Sequence, residues 1–210
     1  MIRNYIFDVD RTLIDSYRVE LETLKQALFI VTNNLYNDDI MNQLTILTTK
    51  EFFYKLGIDL ASDEMKMINR HWSRLLKERK LKFFEGAREL LVEIKNQDCF
   101  LGIVTSRTME ELEEIESLMD VIDLFDAVVT SDLVKYPKPH PESLNLIVDK
   151  FNLRNDQTIY IGDSISDQKI AKNANVKFGF ASWENKNELT EYDYIFKNPQ
   201  SIYKLFKRED

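Results

Sequence analysis

The sequence predicts an α/β fold, a parallel sheet with covering helices that is interrupted near its start by a small inserted α-helical cap. Three observations support this. Short apolar runs recur along the chain, segments with helical spacing separate them, and one long early stretch has helical spacing without such a run. Short apolar runs bounded by polar residues are typical of strands buried in a parallel sheet. The predicted strands are Tyr5–Phe7, Cys99–Val104, Ala127–Val129, Thr158–Ile161, Lys177–Phe180 and Tyr194–Phe196.

Helical segments alternate with these strands, which predicts βαβ units and hence parallel pairing. They are Ala87–Asn96, Met109–Leu118, Glu142–Phe151 and Asp167–Ala174. The early stretch breaks this alternation with four helical patterns, Val19–Leu35, Asn37–Leu44, Lys50–Leu56 and Asp63–Lys80. We therefore expect a core domain formed by residues 1–16 and 81–210, with residues 17–80 inserted into it as a helical cap domain.

Composition and charge exclude several classes of protein. The 28 basic and 36 acidic residues give a net charge of −8, which argues against a nucleic acid polymer or an anionic membrane as the main partner. One cysteine and two histidines exclude a disulfide framework and a Cys- or His-rich metal site. No apolar run reaches membrane-spanning or signal-peptide length, so we expect a cytoplasmic protein with no membrane partner.

Polar residues that can carry chemistry follow four of the predicted strands. They are Asp8, Asp10 and Thr12 after the first, Thr105, Ser106 and Arg107 after the second, Lys138 beyond the third, and Asp163 and Asp167 after the fourth. Because ligands bind outside the carboxyl ends of parallel strands, we expect these side chains to meet at one edge of the sheet.

This set of residues suits phosphoryl transfer. Clustered carboxylates repel one another, and oxygen ligands without His or Cys favour Mg²⁺ as the neutralising cation. A carboxylate can act as a nucleophile, and a lysine can offset charge on the phosphoryl group. Asp8 and Asp10, two apart on an extended segment, face the same way, so one can attack while the other exchanges a proton.

Four motifs resemble those of the haloacid dehalogenase (HAD) superfamily, in the branch of phosphoglycolate phosphatase and beta-phosphoglucomutase with a helical (C1) cap. Phe7–Leu13 resembles the first motif, DxDxT, and Val104–Arg107 resembles the second. Lys138 between two prolines resembles the third, and Gly162–Asp167 resembles the fourth. The resemblance covers essentially the whole chain and implies a Rossmann-like core.

The resemblance also implies roles for the catalytic and metal-binding residues. Asp8 would be the nucleophile and a magnesium ligand, and Asp10 the general acid and then the base for water, with its backbone carbonyl on the metal. Asp163 would bind magnesium directly, whereas Asp167 would bind it through water or orient Lys138. Lys138, the third implied catalytic residue, would offset charge on Asp8 and the phosphoryl group. The implied phosphate-binding residues are Thr12, Thr105, Ser106, Arg107 and Lys138.

One position departs from the family pattern, which has glycine where this chain has Arg11. Glycine there leaves room beside the nucleophile and tolerates unusual backbone angles, so arginine either adds a cation near the phosphate, crowds the site or points away from it. Related caps place specificity residues where this chain has Thr48, Thr49 and Lys50; with Arg11, these are the candidate specificity residues.

The sequence thus predicts a Mg²⁺-dependent phosphatase, monomeric or weakly dimeric, that acts on a small phosphorylated metabolite. Phosphoglycolate, a sugar phosphate and a nucleotide monophosphate all fit as substrates. A sugar phosphomutase stays open, as does an inactive binding or regulatory relative, which only Arg11 motivates. Asp10 argues against a dehalogenase, which lacks that acid. A response-regulator receiver does not fit, because Asp163 comes too late and the helical insert has no place in it.

Overall fold

A parallel sheet of six strands forms the centre of the larger part of the protein, in a computed structural model that describes residues 1–45, 49–183 and 189–206. The strands are β1 (Asn4–Phe7), β2 (Phe100–Val104), β3 (Ala127–Val129), β4 (Thr158–Gly162), β5 (Lys177–Ala181) and β6 (Tyr194–Phe196). Their order is β3-β2-β1-β4-β5-β6, and every neighbouring pair is parallel. The predicted α/β fold class is confirmed.

The helices of the described residues fall into two groups along the chain. The early group is α1 (Tyr17–Thr32), α2 (Asp38–Met41), α3 (Thr49–Lys55) and α4 (Asp63–Lys77). The later group is α5 (Ala87–Asn96), α6 (Met109–Glu113), α7 (Glu116–Met119), α8 (Glu142–Lys150) and α9 (Ile165–Asn173). None of these helices is both long enough and apolar enough to cross a lipid bilayer.

Strand β1 occupies the middle of the sheet and defines its two apolar faces. Alternate residues of a strand point to opposite faces, so Tyr5 and Phe7 join one buried cluster, whereas Ile6 joins the other. The first cluster includes Leu90 of α5, and the second includes Ile170 of α9. The sheet is therefore covered on both faces, which explains why its strands read as continuous apolar runs.

The position of β1 also determines where a ligand can bind. Strand β2 pairs with one side of β1 and β4 with the other, so the strand order changes direction across β1. Ligands of doubly wound sheets bind outside the carboxyl ends of the strands at such a switch point. The residues that follow β1 and β4 therefore lie where the fold provides a crevice.

Contacts divide the chain into two compact units, Met1–Asp15 with Leu81–Asp210, and Ser16–Lys80. The second unit is helical and has its own apolar core, in which Leu24 and Leu28 of α1 pack with Phe52 and Phe53 of α3. A hydrogen bond from Trp72 Nε1 of α4 to Thr23 Oγ1 of α1 spans 3.2 Å. This unit therefore holds itself together through helix packing.

One predicted helix is interrupted. The segment Met109–Leu118 forms two short helices, because α6 ends at Glu113 and α7 begins at Glu116. Ile115 between them has φ −89° and ψ 81°, outside the helical region, and its side chain is buried in the first apolar cluster. The prediction of one continuous helix was wrong because the chain breaks to bury Ile115 beside Leu112 and Leu118.

Candidate active site

Acidic and basic side chains meet at the carboxyl edge of the sheet, around the ends of β1 and β4. Asp8 follows β1 directly, and its backbone N–H donates to the carbonyl of Ile161 in β4 over 2.8 Å. Asp163 follows β4 in the same way. A cleft of about 210 Å³ is lined by Asp8, Asp10, Arg11, Ser106, Lys138, Asp163, Ser164, Ser166 and Asp167.

Lys138 lies between the carboxylate that follows β1 and one that follows β4. Its Nζ donates to Asp8 Oδ1 over 2.5 Å and to Asp167 Oδ1 over 2.9 Å. The side chain of Lys138 is only 4% exposed, and its ammonium lies 5.3 Å from the centre of the Tyr160 ring. A loop lysine that would ordinarily be solvated is thus a buried cation between two buried carboxylates.

Asp167 is held by four hydrogen bonds. Its Oδ1 accepts from Lys138 and from the Tyr160 hydroxyl over 3.0 Å. Its Oδ2 accepts from the backbone N–H and the hydroxyl of Ser164, over 3.1 and 2.6 Å. Ser164 is also the N-cap of α9, so helix capping and site assembly use the same residue pair. A Cβ added to Gly162 would lie 2.5 Å from the Cβ of Asp167, so only glycine allows this close approach.

The same network shifts the pKa values of Asp8 and Asp167 in opposite directions. Burial, together with Asp167 and Asp10 and against the opposing effect of Lys138, raises the pKa of Asp8 to about 7. Burial would also raise the pKa of Asp167, but Lys138 and the hydrogen bonds from Ser164 outweigh it, so that pKa is lowered. The pKa of Lys138 itself is raised, because the two carboxylates overcome the effect of its burial.

Asp163 adds a third carboxylate, and together the three fit a divalent cation. Oxygens of Asp8, Asp163 and Asp167 lie within 4.8 Å of one another, and all three residues are buried. Burial raises the pKa of Asp163 well above its usual value, and Asp167 and Asp8 add to the effect. Lys138 lies between Asp8 and Asp167, and a divalent cation would add further positive charge to this cluster of carboxylates. The oxygen-only donors suit Mg²⁺.

Asp10 lies at the same cleft in a separate ion pair. Arg107 Nε donates to Asp10 Oδ2 over 2.7 Å, and Arg107 Nη2 donates to Asp10 Oδ1 over 2.6 Å. The Asp10 carboxylate is therefore not one of the clustered carboxylates, and only its backbone carbonyl stays a predicted metal ligand. Arg107, predicted as a phosphate ligand, directs its guanidinium at the Asp10 carboxylate.

Arg11 adopts the backbone conformation that a glycine would adopt at its position. Its φ is 59°, in the left-handed region where a side chain is strained. The backbone N–H of Arg11 donates to the carbonyl of Ile14 over 2.8 Å, which closes a tight turn. Arg11 lines the cleft, and its positive charge acts to lower the pKa of Asp163. This chain therefore keeps the strained turn and adds a cation at the cleft.

The remaining predicted site residues lie in different surroundings. Ser106 is exposed and lines the cleft, and Thr105 is buried at the end of β2, where its Oγ1 accepts from the Arg107 N–H over 3.1 Å. Thr12 is fully buried and is not among the residues that line the cleft, so its role as a phosphate ligand stays a prediction. Thr48 lies outside the described residues, as do the side chains of Thr49 and Lys50.

Sequence reasoning missed Tyr160. Its hydroxyl lies 3.0 Å from both the Val104 carbonyl and Asp167 Oδ1, inside the second apolar cluster. Burial, with Asp167 and Asp8, raises the pKa of Tyr160 well above its ordinary value, so the phenol stays protonated and donates. The available signal was a phenol hydroxyl in the interior of a largely apolar strand, two residues before Gly162.

The chain matches a family model and a known protein over most of its length. The family model described as haloacid dehalogenase-like hydrolase matches residues 5–181. A Bacillus mycoides protein named pyrophosphatase PpaX is 25% identical over 211 residues, which cover 99% of this chain and 98% of that protein.

Two solved structures share the fold. A Lactobacillus plantarum protein assigned as a phosphoglycolate phosphatase is 23% identical, with a TM-score of 0.79 over 98% of this chain and 100% of that one. The Bacillus subtilis protein YfnB, assigned as a HAD-hydrolase and bound to magnesium, is 20% identical, with a TM-score of 0.76 over 99% of both chains. At these identities, the likeness concerns the fold.

Replacement of Tyr160 tests its buried hydrogen bond. Tyr160→Phe removes a donor to Asp167 and should lower the free energy of unfolding by about 1–3 kcal/mol, measured by urea denaturation. Tyr5→Phe is the matched control, because the Tyr5 hydroxyl on neighbouring β1 is buried without a hydrogen-bond partner among the described residues. The control should be neutral or slightly stabilising; equal losses in both variants would contradict the assignment.

Replacement of Arg11 tests the strain in its turn. Arg11→Gly and Arg11→Ala both remove the guanidinium, but only glycine accepts a φ of 59° without strain. The glycine variant should therefore unfold at higher urea concentration, with a free energy of unfolding about 1 kcal/mol above that of the alanine variant. Equal stability of the two variants would mean that this turn carries no strain.

Proposed function

The chain belongs to the haloacid dehalogenase-like hydrolase family, and on that basis we propose that it is a phosphatase of small phosphorylated metabolites. The proposal rests on the buried Lys138 ammonium, which donates to both Asp8 and Asp167 beside Asp163. This arrangement holds a carboxylate next to fixed positive charge, as phosphoryl transfer through an aspartyl phosphate requires. Phosphoglycolate, sugar phosphates and nucleotide monophosphates are the substrates that we favour.

Asp8 is the proposed nucleophile. Its Oδ1 accepts the hydrogen bond from Lys138, which leaves Oδ2 to attack phosphorus. A bond forms between this oxygen and phosphorus as the bond between phosphorus and the leaving oxygen breaks, which gives an aspartyl phosphate. Lys138 stays within reach of both the carboxylate and the transferred group, where it offsets their negative charge.

Asp10 is the proposed proton donor and acceptor. It lines the same cleft as Asp8, two residues further along the turn. Its proton passes to the leaving oxygen in the first step. In the second step, Asp10 takes a proton from the water that attacks phosphorus, and the bond between phosphorus and Asp8 breaks. One group can serve both steps because the second reverses its role in the first.

The remaining residues hold the phosphoryl group and the metal. The Ser106 hydroxyl and the backbone amides after Thr105 are the proposed donors to the phosphoryl oxygens. Asp8 and Asp163 are the carboxylates that would hold Mg²⁺, and the bound ion would supply positive charge to those oxygens. Asp167 orients Lys138, since both oxygens of Asp167 already accept hydrogen bonds.

Two other activities use the same groups. Inorganic pyrophosphate is a second candidate substrate, because the Bacillus mycoides relative named pyrophosphatase PpaX aligns with nearly the whole chain. A sugar phosphomutase would form the same aspartyl phosphate but pass the group to a sugar hydroxyl. Comparison of phosphate release with isomer formation from a hexose 1-phosphate distinguishes a hydrolase from a mutase.

A phosphate-release screen with Mg²⁺ tests the activity and the nucleophile together. The panel contains phosphoglycolate, hexose phosphates, nucleotide monophosphates and pyrophosphate. We expect release from at least one substrate, and a loss of roughly a thousandfold or more in Asp8→Asn. Asp149→Asn makes the same chemical change at an exposed position of α8 and should retain wild-type rates. Turnover by folded Asp8→Asn protein would exclude Asp8 as the nucleophile.

The raised pKa of Asp8 predicts how pH and Mg²⁺ affect stability. Native Asp8 keeps its proton up to a pKa of about 7, whereas the unfolded group ionises near pH 4, so its contribution to stability falls as pH rises between these values. Without metal, the wild-type Tm should therefore fall across this window more than that of Asp8→Asn. Mg²⁺ should raise the Tm more at pH 7.5 than at pH 5.5.

Asp163→Asn provides the control for the metal, since it removes one of the carboxylates proposed to hold the ion. That variant should lose most of the Mg²⁺-dependent rise in Tm, and EDTA should stop wild-type hydrolysis until Mg²⁺ is restored. Mg²⁺ shifts that are equal at both pH values and in both proteins would contradict the proposed site.

A further inference from the structure

We propose that Arg107 is a positioning residue for Asp10 and not a ligand of the substrate phosphate. This inference rests on the proposed function, because it concerns the proton that Asp10 transfers. It goes beyond that function by assigning the control of Asp10 to an ion pair between the loops that follow β1 and β2. The supporting observation is the bidentate contact between the Arg107 guanidinium and the Asp10 carboxylate.

The contact has the geometry of the strongest ion pairs in proteins. Two nitrogens of Arg107 donate to the two oxygens of Asp10 over 2.7 and 2.6 Å. Parallel hydrogen bonds of this kind fix the plane of the carboxylate as well as its distance. The side chains are 20% exposed for Arg107 and 31% exposed for Asp10, so solvent screens this pair less than a surface ion pair.

The backbone of Arg107 is fixed at the carboxyl edge of the sheet. Its N–H donates to Thr105 Oγ1 over 3.1 Å, and its carbonyl accepts from the Ser131 N–H over 2.9 Å. The next residue, Thr108, begins α6 with a capping box in which Glu111 is the partner. Hydrogen bonds to Thr105, which follows β2, and to Ser131, which follows β3, therefore hold the backbone of Arg107, and its guanidinium reaches Asp10 from this support.

The contact leaves Asp10 able to react. Each carboxylate oxygen has two lone-pair sites, and each accepts one hydrogen bond from Arg107, so a further site remains on each oxygen for a proton. Asp10 also lines the cleft that holds Asp8 and Lys138. Arg107 thus sets the direction from which Asp10 gives its proton to the leaving oxygen and later takes one from water.

The chain contains a matched control for this pair. Arg154 donates to both oxygens of Asp156 over 3.0 and 2.8 Å, with the same use of its Nε and Nη2 atoms. These side chains are 68% and 65% exposed, and they precede β4, at the amino end of a strand whose carboxyl end carries the cleft. Arg154→Gln therefore removes an equivalent ion pair without touching the site.

A comparison of leaving groups separates positioning from phosphate binding. p-Nitrophenol leaves readily without a proton, whereas the alcohol of an alkyl phosphate needs one. In Arg107→Gln, kcat/KM should therefore fall at least about tenfold more for an alkyl phosphate than for p-nitrophenyl phosphate. The inhibition constant of inorganic phosphate should stay within about twofold of wild type, because the guanidinium is assigned to Asp10 and not to phosphate. Arg107→Lys, which keeps the charge but loses the two-pronged contact, should recover part of the loss.

Three kinetic outcomes bear on the inference. A selective loss with the alkyl phosphate in Arg107→Gln, absent in Arg154→Gln, supports it. Equal losses for both substrates with a matching rise in the inhibition constant of phosphate would overturn it and make Arg107 a phosphate ligand. A loss of the same size in Arg154→Gln would overturn it as well, since the effect would then be unspecific.

A second measurement is independent of turnover. In a double-mutant cycle read by urea denaturation, Arg107→Gln and Asp10→Asn should each shift the midpoint, and the double variant should shift it by less than the sum. The exposed Arg154 and Asp156 pair should give additive shifts. If the wild-type protein releases phosphate from no substrate, the proposed function fails, and this cycle still decides whether Arg107 holds Asp10. Additive shifts for Arg107 and Asp10 would overturn the inference.

Discussion

The arrangement of the active-site cluster depends on the buried ion pairs that the Lys138 ammonium forms with Asp8 and Asp167. An isolated charge costs several kcal/mol to bury, so Lys138, Asp8 and Asp167 stay buried only as a group. Their contacts join the end of β1, the first turn of α9 and the loop after β3. The capping box of Ser164 and the Tyr160 hydroxyl hold Asp167, and Asp167 in turn holds the lysine.

This network leaves the charges unevenly satisfied, and that unevenness suits the proposed chemistry. Asp167 accepts four hydrogen bonds and is stabilised as a carboxylate, whereas burial raises the pKa of Asp8, and that of Asp163 is raised as well. A divalent cation would relieve the charge of Asp8 and Asp163, whereas hydrogen bonds already compensate Asp167. The residue that orients Lys138 is therefore distinct from the residues that would hold metal and attack phosphorus, although all three carboxylates lie together.

The sequence identified the sheet and the acidic cluster through one rule, which is that the carboxyl ends of parallel strands share an edge. That rule predicted that Asp8, Asp163 and Lys138 would lie close together, because each lies beyond the carboxyl end of a recognisable strand. It could not predict Tyr160, whose hydroxyl belongs to the apolar interior and acts only through Asp167. Nor could it predict the partner of Arg107, since the reach of a long side chain depends on the loop that supports it.

The sequence by itself determined the parallel α/β fold, because buried strands and amphipathic helices can be recognised from the local pattern of apolar residues. It also determined which acids and which lysine stand at strand ends. The resemblance already implied that Asp167 could orient Lys138. Only the tertiary structure decided that the lysine is buried with hydrogen bonds to both Asp8 and Asp167, and that Arg107 pairs with Asp10. Residues that are far apart along the chain form these pairs, and their geometry follows from strand order and loop conformation, which local pattern does not encode.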